Sequence, residues 1–164
     1  MKSSQAQAAK LIRQELKQAF PGTKFSVTSQ SFSMGCSIDI RWDNGPTSKQ
    51  VESITGKYEY GHFDGMTDCY EISNRRNDIP QSKYVMEQRT VTEEMQNEAF
   101  EYIRYSWECL EGKMIDDSSV EINKDLGTWT ARNFIDCQLA KIDLTNGLTK
   151  QKLEDVIFNR VKAA

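Results

Sequence analysis

Between Ser31 and Pro46 the sequence runs SFSMGCSIDIRWDNGP, and the rest of the chain is organised around it. Cys36, Ile38, Ile40 and Trp42 alternate with Ser37, Asp39 and Arg41, the period of two that gives a strand one face for a core and one for water. The alternation stops on Asp43, Asn44, Gly45 and Pro46. Asn-Gly tolerates the positive φ of a tight turn, and Pro46 cannot extend a sheet. Thr47 and Gln50 then fit a capping box, with Val51, Ile54 and Tyr58 on one helix face.

Upstream, KFSVTSQ sets Phe25 and Val27 against Ser26 and Thr28, and SQSFSMG reads as a hairpin connection between two strands. Earlier still, Ala9, Ile12, Leu16 and Ala19 recur at helical spacing, Leu11 and Phe20 broaden the stripe, and Pro21-Gly22 ends it. Downstream, KYVMEQRTV is a third strand candidate, with Tyr84, Met86 and Gln88 opposed to Val85 and Glu87. Regular periodicity fails between Glu59 and Ser82, apart from a short strand candidate at CYEI. Connections this long are uncommon inside a compact domain and often functional.

The longest helix follows. Thr90 and Glu93 suggest a second capping box, and Met95, Ala99, Ile103 and Leu110 form a stripe flanked by Phe100 and Trp107, with Gly112 as C-cap. A polar connection leads to two more helix candidates. One carries Ala131, Phe134, Ile135 and Leu139; the other carries Leu153, Val156, Ile157 and Arg160. The predicted class is α+β: a small, mostly antiparallel sheet of about three strands flanked by helices, with a helical C-terminal part. Residues 1–90 form the α+β region and residues 91–164 a helical extension packed on it in one compact domain.

The 164 residues are 38% hydrophobic and 27% charged, which predicts a modest core. A net charge of -3 and a pI near 5.3 give the whole chain no electrostatic drive toward nucleic acid. No apolar run is long enough to span a bilayer, and the N-terminus interleaves its apolar residues with Gln, Lys and Arg, so a cytoplasmic protein is expected. Cys36, Cys69, Cys109 and Cys137 stand far apart, as expected of reduced, packed thiols.

His62 is the only histidine, so a serine triad or a Cys-His pair would have to use it as base, and the nearest thiol, Cys69, shares its loop. One His and scattered Cys do not match a zinc site, and the familiar Gly-rich phosphate cradles are absent. No cofactor is called for. The best candidate for chemistry is HFDGMTDCYE, where Asp64, Asp68 and Glu71 can converge on a hard cation such as Mg²⁺. The alternative is an Asp-Gly turn in which carboxylates cap local amides. Trp42, and Trp107 with Tyr102 and Tyr105, are candidate anchors for a partner or plain core. Arg75 and Arg76 with nearby Lys83 are the place where direct nucleic-acid contact would have to occur. Glu93, Glu94, Asp116, Asp117 and Glu121 add to the loop carboxylates; if they form one surface they mimic phosphates, and the alternative is an ordinary solvated face balanced by Lys and Arg elsewhere.

The segments AAKLIRQELKQAFPGTKFSV, SFSMGCSIDIRWDNGPT and VESITGKYEYGHFDGMTDCYE, with the later KYVMEQR, resemble the large polyvalent-protein-associated domain family over about residues 8–90. That family occurs in giant phage and conjugative-plasmid proteins and in short proteins of mobile elements. The resemblance implies a setting, accompanying mobile DNA into a new host, and brings no catalytic residues with it. With the small acidic chain and the failure of each catalytic constellation, it leads us to expect a non-enzymatic accessory protein of the host cytoplasm that binds a host protein or nucleoprotein complex, most concretely a counter-defence inhibitor such as an anti-CRISPR or anti-restriction protein. The rival is a nucleic-acid-processing or metal-dependent accessory enzyme acting on incoming DNA.

Overall fold

The structure is a computed structural model that describes residues 3–104, 112, 114–116 and 130–158. The chain divides into two compact units, Met1–Thr90 and Val91–Ala164. In the first unit α1 (Ser4–Ala19) leads to β1 (Ser26–Phe32), β2 (Gly35–Asp43) and α2 (Ser48–Thr55), which a 3₁₀ turn extends over Gly56–Tyr58. Two short strands, β3 (His62–Asp64) and β4 (Cys69–Glu71), then pair as a separate ribbon before β5 (Tyr84–Thr90) closes the main sheet.

The main sheet has the order β1-β2-β5. β1 and β2 are antiparallel with Phe32 opposite Gly35, so only Ser33 and Met34 connect them and most of SQSFSMG is strand. β5 runs parallel to β2, from Ser37 opposite Tyr84 to Asp43 opposite Thr90, which makes the sheet mixed. The physical reason is the connection: α2 and the β3–β4 ribbon carry the chain back to the starting end of β2, as a parallel crossover must.

The period of two sorts the faces. Ile38, Ile40 and Trp42 of β2 and Val27 of β1 are buried together with Ala8, Ala9, Ile12 and Leu16 of α1 and Val51 and Tyr58. Fully burying one such side chain stabilises by roughly 1.5–3 kcal/mol. On α1 the stripe begins earlier than expected: Ala8 is buried, whereas Ala19 is exposed in the last turn. After β2, Asn44 and Gly45 take φ 52 and 60, and Arg89 of β5 donates to both of their carbonyls. A side chain at Gly45 would also meet the Thr23 hydroxyl at 2.8 Å. The Thr47–Gln50 capping box forms as expected.

Besides Arg89 at the turn, Glu87 brings a charged group to the core face. Register places Glu87 opposite Ile40, and its carboxylate accepts from the Thr55 hydroxyl. Burial pushes the Glu87 carboxyl up, the Thr55 bond offsets part of this, and the Glu52 charge adds to the rise. A raised folded value means that the charged form is disfavoured by folding, so stability is fullest below the unfolded value and is lost as pH rises through the folded one. Glu87→Gln keeps the acceptor and removes the charge. It should therefore melt above the wild type at about pH 7, with the gap closing as pH falls toward the ordinary carboxylate range near 4. A gap that is independent of pH would refute the assignment.

In the second unit α3 (Glu93–Ile103), α4 (Ala131–Leu139) and α5 (Lys150–Phe158) are the helices among the described residues. Ala99, Phe100 and Ile103 pack with Ile135, Leu139, Leu153 and Ile157, joined by Ile142, Leu144 and Leu148 from the connecting segment. α3 starts later than the expected box at Thr90. That residue is the last of β5, its carbonyl accepts from the Asn44 amide at 2.8 Å, and Thr92 takes the cap position. Glu93 and Glu94 occupy the first turn, where the helix dipole favours them. Gly112 has φ 69, and the expected helix positions Tyr105, Trp107, Leu110 and Arg160 lie outside the described residues. Among the described residues no helix is long and apolar enough to cross a membrane.

Candidate functional site

With α1 and α2 on one side, most of the other face of the sheet is turned to solvent, Ser37 being buried on it. Register gives it Thr28, Gln30 and Phe32 from β1, Ser37, Asp39 and Arg41 from β2, and Tyr84, Met86 and Gln88 from β5. Gly35 opens the β2 position opposite Phe32. Its missing side chain would lie 3.2 Å from the Phe32 ring and 2.8 Å from the Lys83 stem, so Phe32 leans over it to stack on Tyr84, with centroids 6.4 Å apart and planes 17° apart. Tyr70 meets Tyr84 edge-on at 5.4 Å and Tyr60 meets Tyr70 edge-on at 5.9 Å. Four rings thus run in sequence from the sheet face across the β3–β4 ribbon.

Lys83 binds this run together. Its ammonium stands 4.7 Å from the Tyr70 centroid and 5.3 Å from that of Tyr84, and donates to the Met34 carbonyl at 3.2 Å. The Tyr70 hydroxyl donates to the Lys83 carbonyl. Burial, followed by the charge of Glu59, pushes the Tyr70 phenol up, so the hydroxyl remains a donor at neutral pH.

The last ring, Tyr60, also lines a cleft of about 390 Å³ with Cys36, Ile72, Arg75, Arg76 and Asn77. Its wall is the segment that had no period in the sequence, and a buried amide holds it. Gln81, 8% exposed, donates to the carbonyls of Lys57 and Asn74 at 2.8 Å and accepts from the Arg76 amide at 2.7 Å. Asn74 donates in turn to the carbonyls of Gly56 and Glu59. Arg76 is paired with Asp78 at 2.6 Å, and the pairing raises the guanidinium and lowers the carboxyl. Arg75 has no carboxylate partner among the described residues.

The residues singled out in the sequence fall in different places. Trp42 is corrected from candidate anchor to core: it is 3% exposed, its indole N–H donates to the Pro46 carbonyl at 3.0 Å, and its ring packs on Phe25. Asp64 accepts from the Met66 amide at 2.8 Å and the Thr67 hydroxyl at 3.0 Å, bonds that hold its carboxyl below the usual range. Asp68 has φ 54, and Glu71 stands 4.0 Å from His62 across the ribbon. Asp64 and Asp68 thus shape an Asp-Gly turn, and among the described residues no group of three or more His, Cys, Asp or Glu is arranged to hold a metal.

Asp116 is held in a two-pronged pair by Arg132, at 2.6 and 3.1 Å, which lowers its carboxyl. Asp117, Glu121, Trp107 and Cys109 lie outside the described residues. The acidic residues proposed to share one surface are divided between the units: Asp64, Asp68 and Glu71 in the first, Glu93, Glu94 and Asp116 in the second. Cys36, Cys69 and Cys137 are free, but Cys69 and Cys137 are exposed rather than packed.

Sequence reasoning had Lys83, Arg75 and Arg76 in hand but missed the rings around them. Two signals were present: Gly35 at the head of an alternating strand, and Tyr84 on the polar side of β5.

No curated protein and no solved structure matches the chain. One family does: large polyvalent protein associated domain 29, over residues 3–126. The match runs past residue 90, where the resemblance had been expected to end, and takes in α3. By a match over most of its length, the chain belongs to the large polyvalent protein associated domain 29 family, and so among proteins associated with phages and other mobile elements.

Proposed function

We propose that the chain is a non-enzymatic accessory protein of a phage or other mobile element that binds a host macromolecule, with inhibition of a host nuclease or surveillance complex as its most concrete form. The observation that carries the reading is apolar surface left in water. Phe32, Met34, Phe63, Met66, Ile72 and Met86 are each about half exposed or more, and all belong to the open face, the ribbon beside it or the turns next to them. Large apolar side chains grouped in this way mark an interaction surface. Family membership supplies the setting. The alternative, metal-assisted processing of incoming DNA by Asp64, Asp68 and Glu71, has less support, because Asp64 already spends its carboxylate on its own turn.

The test is capture of partners by the tagged full chain from a host with active CRISPR or restriction systems. Wild type should recover a nuclease or surveillance component, and Phe63→Ser with Met86→Ser should lose it. Recovery of no defence component would count against the reading.

A further inference from the structure

The binding surface has a chemistry of its own, and the geometry points to single-stranded nucleic acid as its ligand: we propose that bases stack along the Phe32–Tyr84 end of the open face while phosphates are held by Lys83 and by Arg75 at the cleft. The inference rests on the reading of this surface as a binding site and names what it takes.

The first observation is the ring geometry. Phe32 is 48% exposed and lies nearly parallel to Tyr84, and this pair is continued by Tyr70 and Tyr60 in steps of 5.4 and 5.9 Å. A ring with a free face on a sheet offers a base a stacking partner without regard to its identity. Only an unpaired strand can splay a base onto it, since a duplex keeps its base faces covered.

The second observation is charge placement. The Lys83 ammonium is fixed over two of the rings, within reach of the backbone that joins stacked bases. The run of rings ends at a cleft bearing two guanidinium groups, of which Asp78 engages one. Guanidinium forks match phosphate oxygens, and cations beside aromatic faces add attraction for bases. The carboxylates of the sheet face, Asp39 and Asp43, lie further along β2, while on the ring side Glu59 acts on Tyr70 and Glu71 faces His62 across the ribbon.

The third is the distribution of charge between the units. Residues 1–90 carry twelve Lys and Arg against ten Asp and Glu, a net of +2, and residues 91–164 carry nine against fourteen, a net of -5. The modest acidity of the whole chain therefore conceals a first unit with an excess of cations. Lys83 and Arg75, cations placed beside exposed rings, suit a strand whose phosphates alternate with stackable bases.

Fluorescence anisotropy of the full chain with labelled 12-mers tests this, comparing single-stranded DNA, RNA of the same sequence and the DNA duplex. Single strands should bind at about 50 mM salt and lose about 7-fold in affinity at about 200 mM, the slope for roughly two phosphate contacts. Preference between DNA and RNA identifies the source of the strand. Phe32→Ala should weaken binding by about tenfold with little change in salt slope, and Arg75→Gln should reduce the slope by about 0.7. Both positions are exposed, so both variants should fold. Absence of binding at low salt, equal affinity for the duplex, or indifference to both substitutions would overturn the proposal. A partner protein still captured from the host under those results would leave the broader binding reading standing and remove only the nucleic acid.

Discussion

Trp42→Ala should be among the most damaging single substitutions in the first unit, costing about 3–5 kcal/mol as a large aromatic-to-alanine change in a core. For a chain of this size that corresponds to a fall in Tm of about 10 °C or more. The indole sits with Phe25 at 5.6 Å, and Phe25 touches Phe20 at 6.1 Å, so deletion opens a hole under the start of β1 and the end of α1. It also leaves the Pro46 carbonyl without its donor at the point where the turn becomes a helix. Trp42→Phe separates the two effects: it restores most of the volume and should cost only about 1–3 kcal/mol for the unsatisfied acceptor. Thermal and urea unfolding measure both. An alanine variant as stable as wild type but poor in partner capture would return Trp42 to the role of anchor.

Gly61→Ala should be nearly as severe for a different reason. A Cβ there would stand 2.1 Å from the Glu71 carbonyl oxygen and 2.7 Å from the Tyr70 ring. The first of these is backbone in the partner strand of the ribbon and has nowhere to move without breaking the β3–β4 pairing. Overpacking of this kind costs about 1–3 kcal/mol, occasionally more, which predicts a Tm lower by about 5–10 °C. Gly35→Ala is the informative contrast. Its Cβ meets the Lys83 stem at 2.8 Å and the Phe32 ring at 3.2 Å, both outer parts of side chains that can swing away. It should melt close to wild type while separating Phe32 from Tyr84. If Gly61→Ala also melts like wild type, the ribbon is not seated as described.

The parts of the fold that rest on simple periods were legible in the sequence: α1, β1, β2, α2, β5 and the helices of the second unit all carry repeating apolar positions, and Asn44, Gly45 and Thr47 mark their own turn and cap. The direction of β5 was not legible, because Val85 and Glu87 face the core whether the strand runs parallel or antiparallel. β3 was hidden because His62–Asp64 carries a single apolar residue, whereas the equally short β4 alternates within CYEI. The segment from Ile72 to Gln81 looked irregular because its order comes from Gln81 and Asn74 bonding to distant carbonyls, and amide side chains carry no positional signature. The candidate site was half visible. Its cations were visible only as a pair of Arg too short to mark a nucleic-acid patch, and ring stacking depends on Phe32 and Tyr84 being brought over Gly35 by strands far apart in sequence. Trp42 misled because an aromatic beside a turn looks the same whether its face is buried or free.

The parallel partnership of β2 and β5 also sets the order in which the molecule can be completed. β1 and β2 are joined by two residues and can pair on a timescale of about 1–10 µs once made. The strand that covers the other edge of β2 lies about forty residues further along, some seconds of synthesis at typical rates of about 5–20 residues per second. During that interval the middle strand of the finished sheet is an edge strand, with Ile38 and Ile40 beside unpaired amides and carbonyls. Such an edge is a template for pairing with another chain. A nascent chain halted before Tyr84 is therefore the form of this protein most exposed to aggregation, and α1, already made, is its first cover.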